Sequence, residues 1–143
     1  MSKPAVRICP VAPFLMKYII ILLIFFINIE IMAKQISELS WKKRLLVVSY
    51  EKKEDRIFIK TKKFISNNKC EIEDRNLEII FYEKFENKNY SKPEFINNKY
   101  GIWLIGYDGM IKDSSFDDKI FLRLFALIDS MPMRKDEMIN DKC

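Results

Sequence analysis

Three cysteines are the residues of this chain best suited to covalent chemistry. Cys9, Cys70 and Cys143 lie far apart in the sequence. In an exported protein an even number of cysteines favours a disulfide, and loss of an N-terminal segment containing Cys9 would leave Cys70 and Cys143 as that pair. A disulfide also requires the two Cα atoms to lie within about 7 Å, which the sequence does not give. The alternatives are two independent thiols or an intermolecular bond through Cys143.

General acid-base chemistry and metal binding have little support in the composition. Histidine, the commonest general base near neutral pH and the commonest metal ligand, is absent. Neighbouring acids occur in three places: Glu71 and Glu73, Asp117 and Asp118, and Asp136 and Glu137. Such acids are usually solvated charges or lie in the first turn of a helix, so we assign them no catalytic role. We expect no metal and no cofactor.

Lysines are concentrated in one segment, around Lys52, Lys60, Lys62 and Lys63. They could form a basic helix face that meets anionic lipid, polysaccharide or nucleic acid, or simply a solvated face. The formal net charge of +5 is modest. A charge of this size is weak evidence for a nucleic-acid partner, so we expect none.

An apolar run near the N-terminus predicts export. Lys17 is followed by apolar residues from Tyr18 to Ile27, and the small residue Ala33 comes shortly after. The run is shorter than the about 20 apolar residues that span a bilayer, but it fits a signal peptide. We therefore predict that residues 1–33 are an upstream extension and signal peptide, with Met16 as an alternative start, and that the protein is periplasmic or secreted. Without cleavage, the segment would anchor the protein in the membrane.

Residues 34–143 are predicted to form a single α/β domain. Arg44 to Tyr50, RLLVVSY, is apolar and rich in β-branched residues, which predicts a strand buried on both faces. A helix is expected from Lys53 to Ser66, ended by the following two asparagines. Leu77 to Phe85 is predicted as the second strand, and a polar loop follows it.

A β-hairpin is the clearest local prediction. Ile102 to Ile105 is an apolar strand, Asp108 and Gly109 form a turn dipeptide, and Met110 to Lys112 begins the return strand. The glycine of such a turn readily adopts the positive φ angle that it requires.

A last helix should follow the hairpin, capped by Ser115 or Asp117. Its apolar face should lie on the sheet and consists of Ile120, Phe121, Leu124, Phe125, Ile128 and Met131. The element order β-α-β-β-β-α gives one parallel strand pair and two antiparallel strands. We predict a thioredoxin-like mixed four-stranded sheet with helices packed on it. A ferredoxin-like sandwich fits less well, because its second helix should lie between the third and fourth strands.

The segment LFALIDSMPMRKDEM has two interpretations. Pro132 disfavours α geometry at Met131 and suits the first position of a second, short C-terminal helix. In one interpretation the segment is a rigid corner, in which Asp129 pairs with Arg134 and the methionines fill the core. In the other, Asp129, Met131, Met133 and Arg134 form an exposed surface that binds a partner.

Three motifs, WKKRLLVVSY, WLIGYDGMIKD and LFALIDSMPMRKDEM, resemble those of the bacterial domain-of-unknown-function family 4174 over Ser40 to Met138. The matching residues are Trp41, Arg44, Leu45, Leu46 and Val47, then Gly106, Asp108 and Gly109, then Ile128, Asp129, Met131, Pro132, Met133, Arg134, Glu137 and Met138. Met110 replaces the second glycine that usually follows the turn, which puts the hairpin geometry in question. The resemblance implies a thioredoxin-like fold with a peroxiredoxin character. It also implies a relation to animal extracellular proteins with sushi repeats, but no established activity.

A thioredoxin-type active site is not expected. Such an enzyme needs a thiolate where the first strand meets the first helix, because the helix N-terminus lowers the cysteine pKa. Here that junction holds Glu51 and Glu54 and no cysteine, and Gly101 stands where thioredoxins have a cis-proline. We therefore expect an exported, non-catalytic binding or structural domain whose partner is an envelope or extracellular protein. The alternative is a peroxiredoxin-like redox enzyme with an unconventional site, which would use Cys70.

Overall fold

The strand predicted from RLLVVSY lies inside a four-stranded sheet in the computed structural model of the protein, which describes residues 33–140. The strands are β1 (Arg44–Tyr50), β2 (Leu77–Glu83), β3 (Gly101–Ile105) and β4 (Ile111–Ser115). Their order is β2-β1-β3-β4, with β1 and β2 parallel and the other pairs antiparallel. The predicted mixed sheet is confirmed. Most of the predicted signal peptide, and Cys143, lie outside the described residues.

The first helix, α1, is Arg56–Asn67, and it begins three residues later than the predicted Lys53. The delay has a local cause: Asp55 is extended, and its carboxylate accepts hydrogen bonds from the backbone N–H groups of Glu51 and Lys52 at 2.9 and 3.0 Å. These bonds hold the preceding residues in a turn. A short helix that was not predicted, α2 (Lys69–Asp74), follows α1 directly.

The prediction of one continuous helix after the hairpin is wrong. Asp117 caps a 3-10 helix, Asp118–Leu122, and the chain breaks at Arg123 before α3 (Leu124–Asp129). At the break, Arg123 reaches back to β4 and donates to both carboxylate oxygens of Asp113, at 2.6 and 3.1 Å. The predicted short helix after it is confirmed as α4 (Pro132–Glu137). Met131 before it is extended, with φ −70° and ψ 138°.

Both faces of the sheet carry a hydrophobic core. Helices α1 and α3 cover one face, where the buried side chains include Leu46, Val48, Ile102, Leu104, Ile120, Leu124 and Ile128. The other face contains Leu45, Val47, Ile80, Tyr82, Trp103 and Ile105. It is covered largely by the loop between β2 and β3, in which Ile96 is completely buried. The predicted polar loop is therefore a packing element. It begins two residues earlier than predicted, because Lys84 and Phe85 have positive φ angles and end β2 at Glu83.

Tyr82 joins this loop to the sheet through a hydrogen bond. Because its hydroxyl is buried, we predict that the fold loses stability at alkaline pH. The Tyr82 hydroxyl donates to the backbone oxygen of Ser91 at 2.9 Å, and burial raises the pKa of Tyr82 from 10.0 to about 12. A raised pKa favours the neutral folded form, so this stabilisation is complete below pH 10 and is lost as the pH rises from 10 to about 12. Tyr82→Phe should lower the free energy of unfolding by about 1 kcal/mol at neutral pH.

The measurement is urea unfolding at a series of pH values for both proteins. Between pH 10 and 12 the variant should lose less stability than the parent. If both proteins lose the same amount, Tyr82 is not the group that titrates.

Candidate functional site

Three arginines are buried together at the N-terminal end of β1. Arg44 comes from β1, Arg75 directly follows α2, and Arg134 belongs to α4, with exposed fractions of 0, 8 and 1%. Buried guanidinium groups are costly unless they are paired and hydrogen-bonded. Four carboxylates supply these partners: Glu71, Asp74, Asp129 and Glu137. We call these seven residues the arginine network.

Arg44 joins the first strand to the C-terminal helix. Its Nη1 and Nη2 donate to the two carboxylate oxygens of Glu137 at 2.9 and 3.3 Å, and Nη1 also donates to the backbone oxygen of Arg75 at 2.8 Å. The guanidinium lies 4.2 Å from the ring centre of Tyr107. Paired oxygens and a stacked ring match the planar shape of arginine, which lysine could not reproduce.

Arg134 and Arg75 share Asp129. Arg134 Nε donates to Asp129 at 3.2 Å and Nη1 to the backbone oxygen of Asp74 at 3.0 Å, while a further bond joins Nη2 to the Asp74 carboxylate. Arg75 Nη2 donates to the other Asp129 oxygen at 2.7 Å. Burial lowers the pKa of Arg134, but its bonds to Asp74 and Asp129 outweigh burial and raise that pKa above its ordinary value. Arg134 therefore holds the corner between α3 and α4 against the end of α2.

A groove of about 530 Å³ lies above Arg44. Its lining residues are Trp41, Arg44, Gly106, Tyr107, Asp108, Lys112, Ser130, Met131, Pro132 and Met133. We call it the Trp41 groove. Its volume is in the range of ligand-binding clefts, and aromatic and methionine side chains with a few polar groups are typical of such clefts. The groove brings residues of all three sequence motifs together.

Trp41 is held at the rim of this groove in an unusual backbone conformation. Its φ is +64°, and 70% of the residue is exposed. A bulky residue with positive φ is an outlier that persists only when its surroundings impose it. Here the Trp41 N–H donates to the backbone oxygen of Tyr107 at 2.6 Å, so the hairpin fixes the conformation. The fold thus keeps a large apolar ring in solvent.

The hairpin forms as predicted, although Met110 replaces glycine. Gly109 has a φ of +75°, and the Asp108 carboxylate accepts from Met110 N at 3.1 Å and from Lys112 Nζ at 2.6 Å. The bond from Lys112, helped by that from Met110, lowers the pKa of Asp108. Gly106 sits where an added Cβ would lie 2.6 Å from Lys112 Cε. Glycine at this position lets Lys112 cross the hairpin to reach Asp108.

The structure separates the four predicted partner-binding residues into two pairs. Met131 and Met133 line the Trp41 groove beside Pro132, and Met133 is 46% exposed. Asp129 and Arg134 belong to the arginine network and do not line the groove. The ion pair expected for the rigid corner is therefore present, while binding by the methionines stays a prediction. Sequence reasoning gave no role to Arg75, Asp74 and Tyr107, because no spacing in the chain marks their contacts.

Cys70 lies at the start of α2, is exposed and is disulfide-bonded. Cys9 and Cys143 are outside the described residues, so the pairing of Cys70 with Cys143 stays a prediction. Between residues 33 and 140, no group of three potential ligands could hold a metal ion. In the same range, no helix is both long and apolar enough to cross a bilayer.

A second depression, of about 690 Å³, lies on the other side of the hairpin. It is lined mainly by the N-terminal segment around Gln35 to Ser40 and the loop around Ser91 to Phe95. Trp41, Met131 and Met133 do not contribute to it. We therefore place the candidate site in the Trp41 groove.

The fold and the site define a mixed α/β domain with an apolar surface groove above a buried arginine network. The chain belongs to the domain-of-unknown-function family DUF4174, whose profile matches residues 35–137. The match includes all four strands and the corner between α3 and α4, and it confirms the resemblance of the three motifs. Searches of curated proteins and of solved structures found no match to the chain.

Proposed function

We propose that this protein is an exported, non-catalytic, thioredoxin-like domain whose Trp41 groove binds an envelope or extracellular protein. The observation that carries the proposal is the exposed, conformationally restrained Trp41 beside Met131 and Met133. Tryptophan, tyrosine and methionine are enriched at protein interfaces, and tryptophan is a frequent hot spot there. The hairpin already holds the backbone of Trp41, so binding does not have to order that backbone, which favours affinity.

The sheet and the β1–α1 junction support the thioredoxin-like, non-catalytic part of the proposal. The strand order β2-β1-β3-β4, with one parallel pair and a hairpin, is the mixed arrangement expected of such a domain. At the junction, the Asp55 carboxylate accepts the two backbone N–H groups of Glu51 and Lys52. A carboxylate there opposes the formation of a nearby thiolate, because like charges raise the pKa of a cysteine.

The disulfide of Cys70 supports export, since disulfides persist in oxidising compartments. It also weakens the redox alternative. Cys70 follows α1, whose 12 residues place it at the end of the helix opposite the thioredoxin site. By helix geometry these ends are about 18 Å apart.

To test this, a photo-crosslinking amino acid replaces Met133 in the protein while it is expressed in its own cells. As a matched control, the same amino acid replaces Phe116 instead. Both side chains are exposed, at 46 and 63%, but Phe116 directly follows β4 at the other end of the hairpin. We expect a discrete adduct with an envelope protein from Met133, absent from Phe116 and lost when Trp41 is changed. The same adducts from both positions, or adducts with cytosolic proteins alone, would contradict the proposal.

A peroxide assay distinguishes the redox alternative from the binding proposal. The purified protein should not consume hydrogen peroxide in the presence of a thiol reductant, and Cys70→Ser should make no difference. Consumption that disappears in Cys70→Ser would favour the enzyme.

A further inference from the structure

The outer face of α1 is basic around one exposed apolar residue. Arg56, Ile59, Lys60 and Lys63 recur at spacings of three and four, so they share one side of the helix. All four are exposed, Ile59 to 52%. Helix α1 contains no acidic residue. Its face therefore attracts anions while it presents an aliphatic side chain to solvent.

The neighbouring 3-10 helix, Asp118–Leu122, extends this face. It packs beside α1 through an ion pair of 2.8 Å between Arg56 and Asp118 and through the stacked rings of Phe64 and Phe121, 4.5 Å apart. Ile120 points into the core. With three residues per turn, Lys119 and Leu122 share the remaining, outward side. Leu122 is 89% exposed, more than any other large apolar residue in the described range.

The surface carries a clear excess of positive charge. Arg56 and Lys119 have nearby acids in Asp118 and Asp117, at 2.8 and 3.3 Å. Lys60 and Lys63 make no ion pair within residues 33–140. Their charges are therefore available to an external anion.

We propose that this surface attaches the domain to an anionic lipid bilayer. Leu122 and Ile59 enter the boundary between headgroups and acyl chains, and Lys60 and Lys63 meet the lipid phosphates. Peripheral binding of this kind adds buried apolar area to electrostatic attraction. The pair of exposed aliphatic side chains favours lipid over nucleic acid, because surfaces that bind single strands use aromatic rings for base stacking.

This proposal goes beyond the binding function of the Trp41 groove. The groove lies at the N-terminal end of β1, where Arg44 pairs with Leu77. The lipid surface is on the outer side of the helical layer, and its 3-10 helix follows Ser115, which pairs with Ile102 near the start of β3. A domain attached through Leu122 would leave Trp41 accessible, so the two proposals can fail independently.

The experiment measures sedimentation of the protein, expressed from its full sequence, with two kinds of vesicle. One contains phosphatidylcholine alone, and the other equal parts of phosphatidylcholine and phosphatidylglycerol. The readout is the ratio of the two partition coefficients, compared between each variant and the parent, because any contribution of an uncleaved N-terminal segment is the same in both proteins. Since each basic residue near an anionic membrane contributes about 1 kcal/mol, Lys60→Gln with Lys63→Gln should reduce that ratio about 30-fold.

The matched control is Lys42→Gln with Lys88→Gln, which removes the same charge from exposed positions elsewhere. Its ratio should fall by less than about threefold, because these lysines lie outside the proposed contact. Leu122→Ser should weaken partition into the mixed vesicles about tenfold, with thermal stability unchanged. An equal loss in the control pair, or full binding by Leu122→Ser, would overturn the proposal. The proposal would also be overturned if this protein bound a DNA duplex through Lys60 and Lys63 but showed no preference for anionic vesicles.

Discussion

Arg134→Ala should lower the free energy of unfolding by about 3–5 kcal/mol, because it removes one partner of a buried ion pair and leaves the other charge buried. Arg134 is 1% exposed, and the Asp74 side chain that it contacts is 5% exposed. The substitution also frees Asp129 to pair with Arg75 alone. Urea unfolding followed by tryptophan fluorescence measures the change, with linear extrapolation to water.

Arg123→Ala is the matched control for this prediction. Arg123 also binds a carboxylate with two nitrogens, but 52% of its side chain is exposed. Pairs in contact with solvent contribute about 1 kcal/mol or less, so this loss should be small. A similar loss in the two variants would show that burial does not set the strength of the network. Asp74→Asn combined with Arg134→Met should recover part of the stability, since neither residue then carries a charge.

The buried position of Arg134 also determines how its substitution would affect binding. Its guanidinium faces Asp74 and Asp129, and it does not line the Trp41 groove. Loss of binding in an Arg134 variant would thus be an effect on the position of α4 and of Met133 at its start. A test of direct contact has to change the groove itself.

The sequence predicted best those elements whose cause is local. Val47 and its neighbours leave no polar face, which marks β1 as a strand buried on both sides. Gly109 supplies the positive φ of the hairpin turn. Pro132 begins α4 and keeps Met131 extended, because its ring restricts the preceding residue. Each of these effects acts within a few residues and needs no knowledge of the rest of the fold.

The errors have causes that no periodic pattern in the sequence reveals. Asp55 folds its carboxylate back onto Glu51 and Lys52, which delays α1, and Arg123 reaches Asp113 on another element, which accompanies the break before α3. The loop after β2 looks polar, yet Ile96 is needed to cover the second face of the sheet. Ile96, together with Tyr90 and Phe95, stands among polar residues without a helical or strand spacing, so it gives no periodic signal.

The site was only partly predictable for the same reason. Trp41, Arg44 and the corner residues appeared in motifs, but their arrangement depends on contacts between distant segments. Arg44 meets Glu137, 93 residues away, and Arg75 meets Asp129, 54 residues away. No pattern of spacing identifies such pairs. The positive φ of Trp41 also has no sequence signal, because it results from the hydrogen bond to Tyr107.

Trp41→Gly should separate binding from folding. The exposed ring contributes little to the core, and glycine adopts positive φ without the about 1–2 kcal/mol that an L-residue loses there. Glycine also makes the unfolded chain more flexible, at a cost of about 0.5–1 kcal/mol. The free energy of unfolding should therefore change by less than about 1 kcal/mol in either direction.

Binding should respond far more strongly than stability. Removal of a tryptophan hot spot costs 2 kcal/mol or more, which corresponds to about a 30-fold loss of affinity. The yield of the adduct formed from position 133 should fall accordingly, and Trp41→Phe, which keeps a ring at the rim, should retain much of it. An unchanged yield in Trp41→Gly, at unchanged stability, would mean that the ring does not contact the partner.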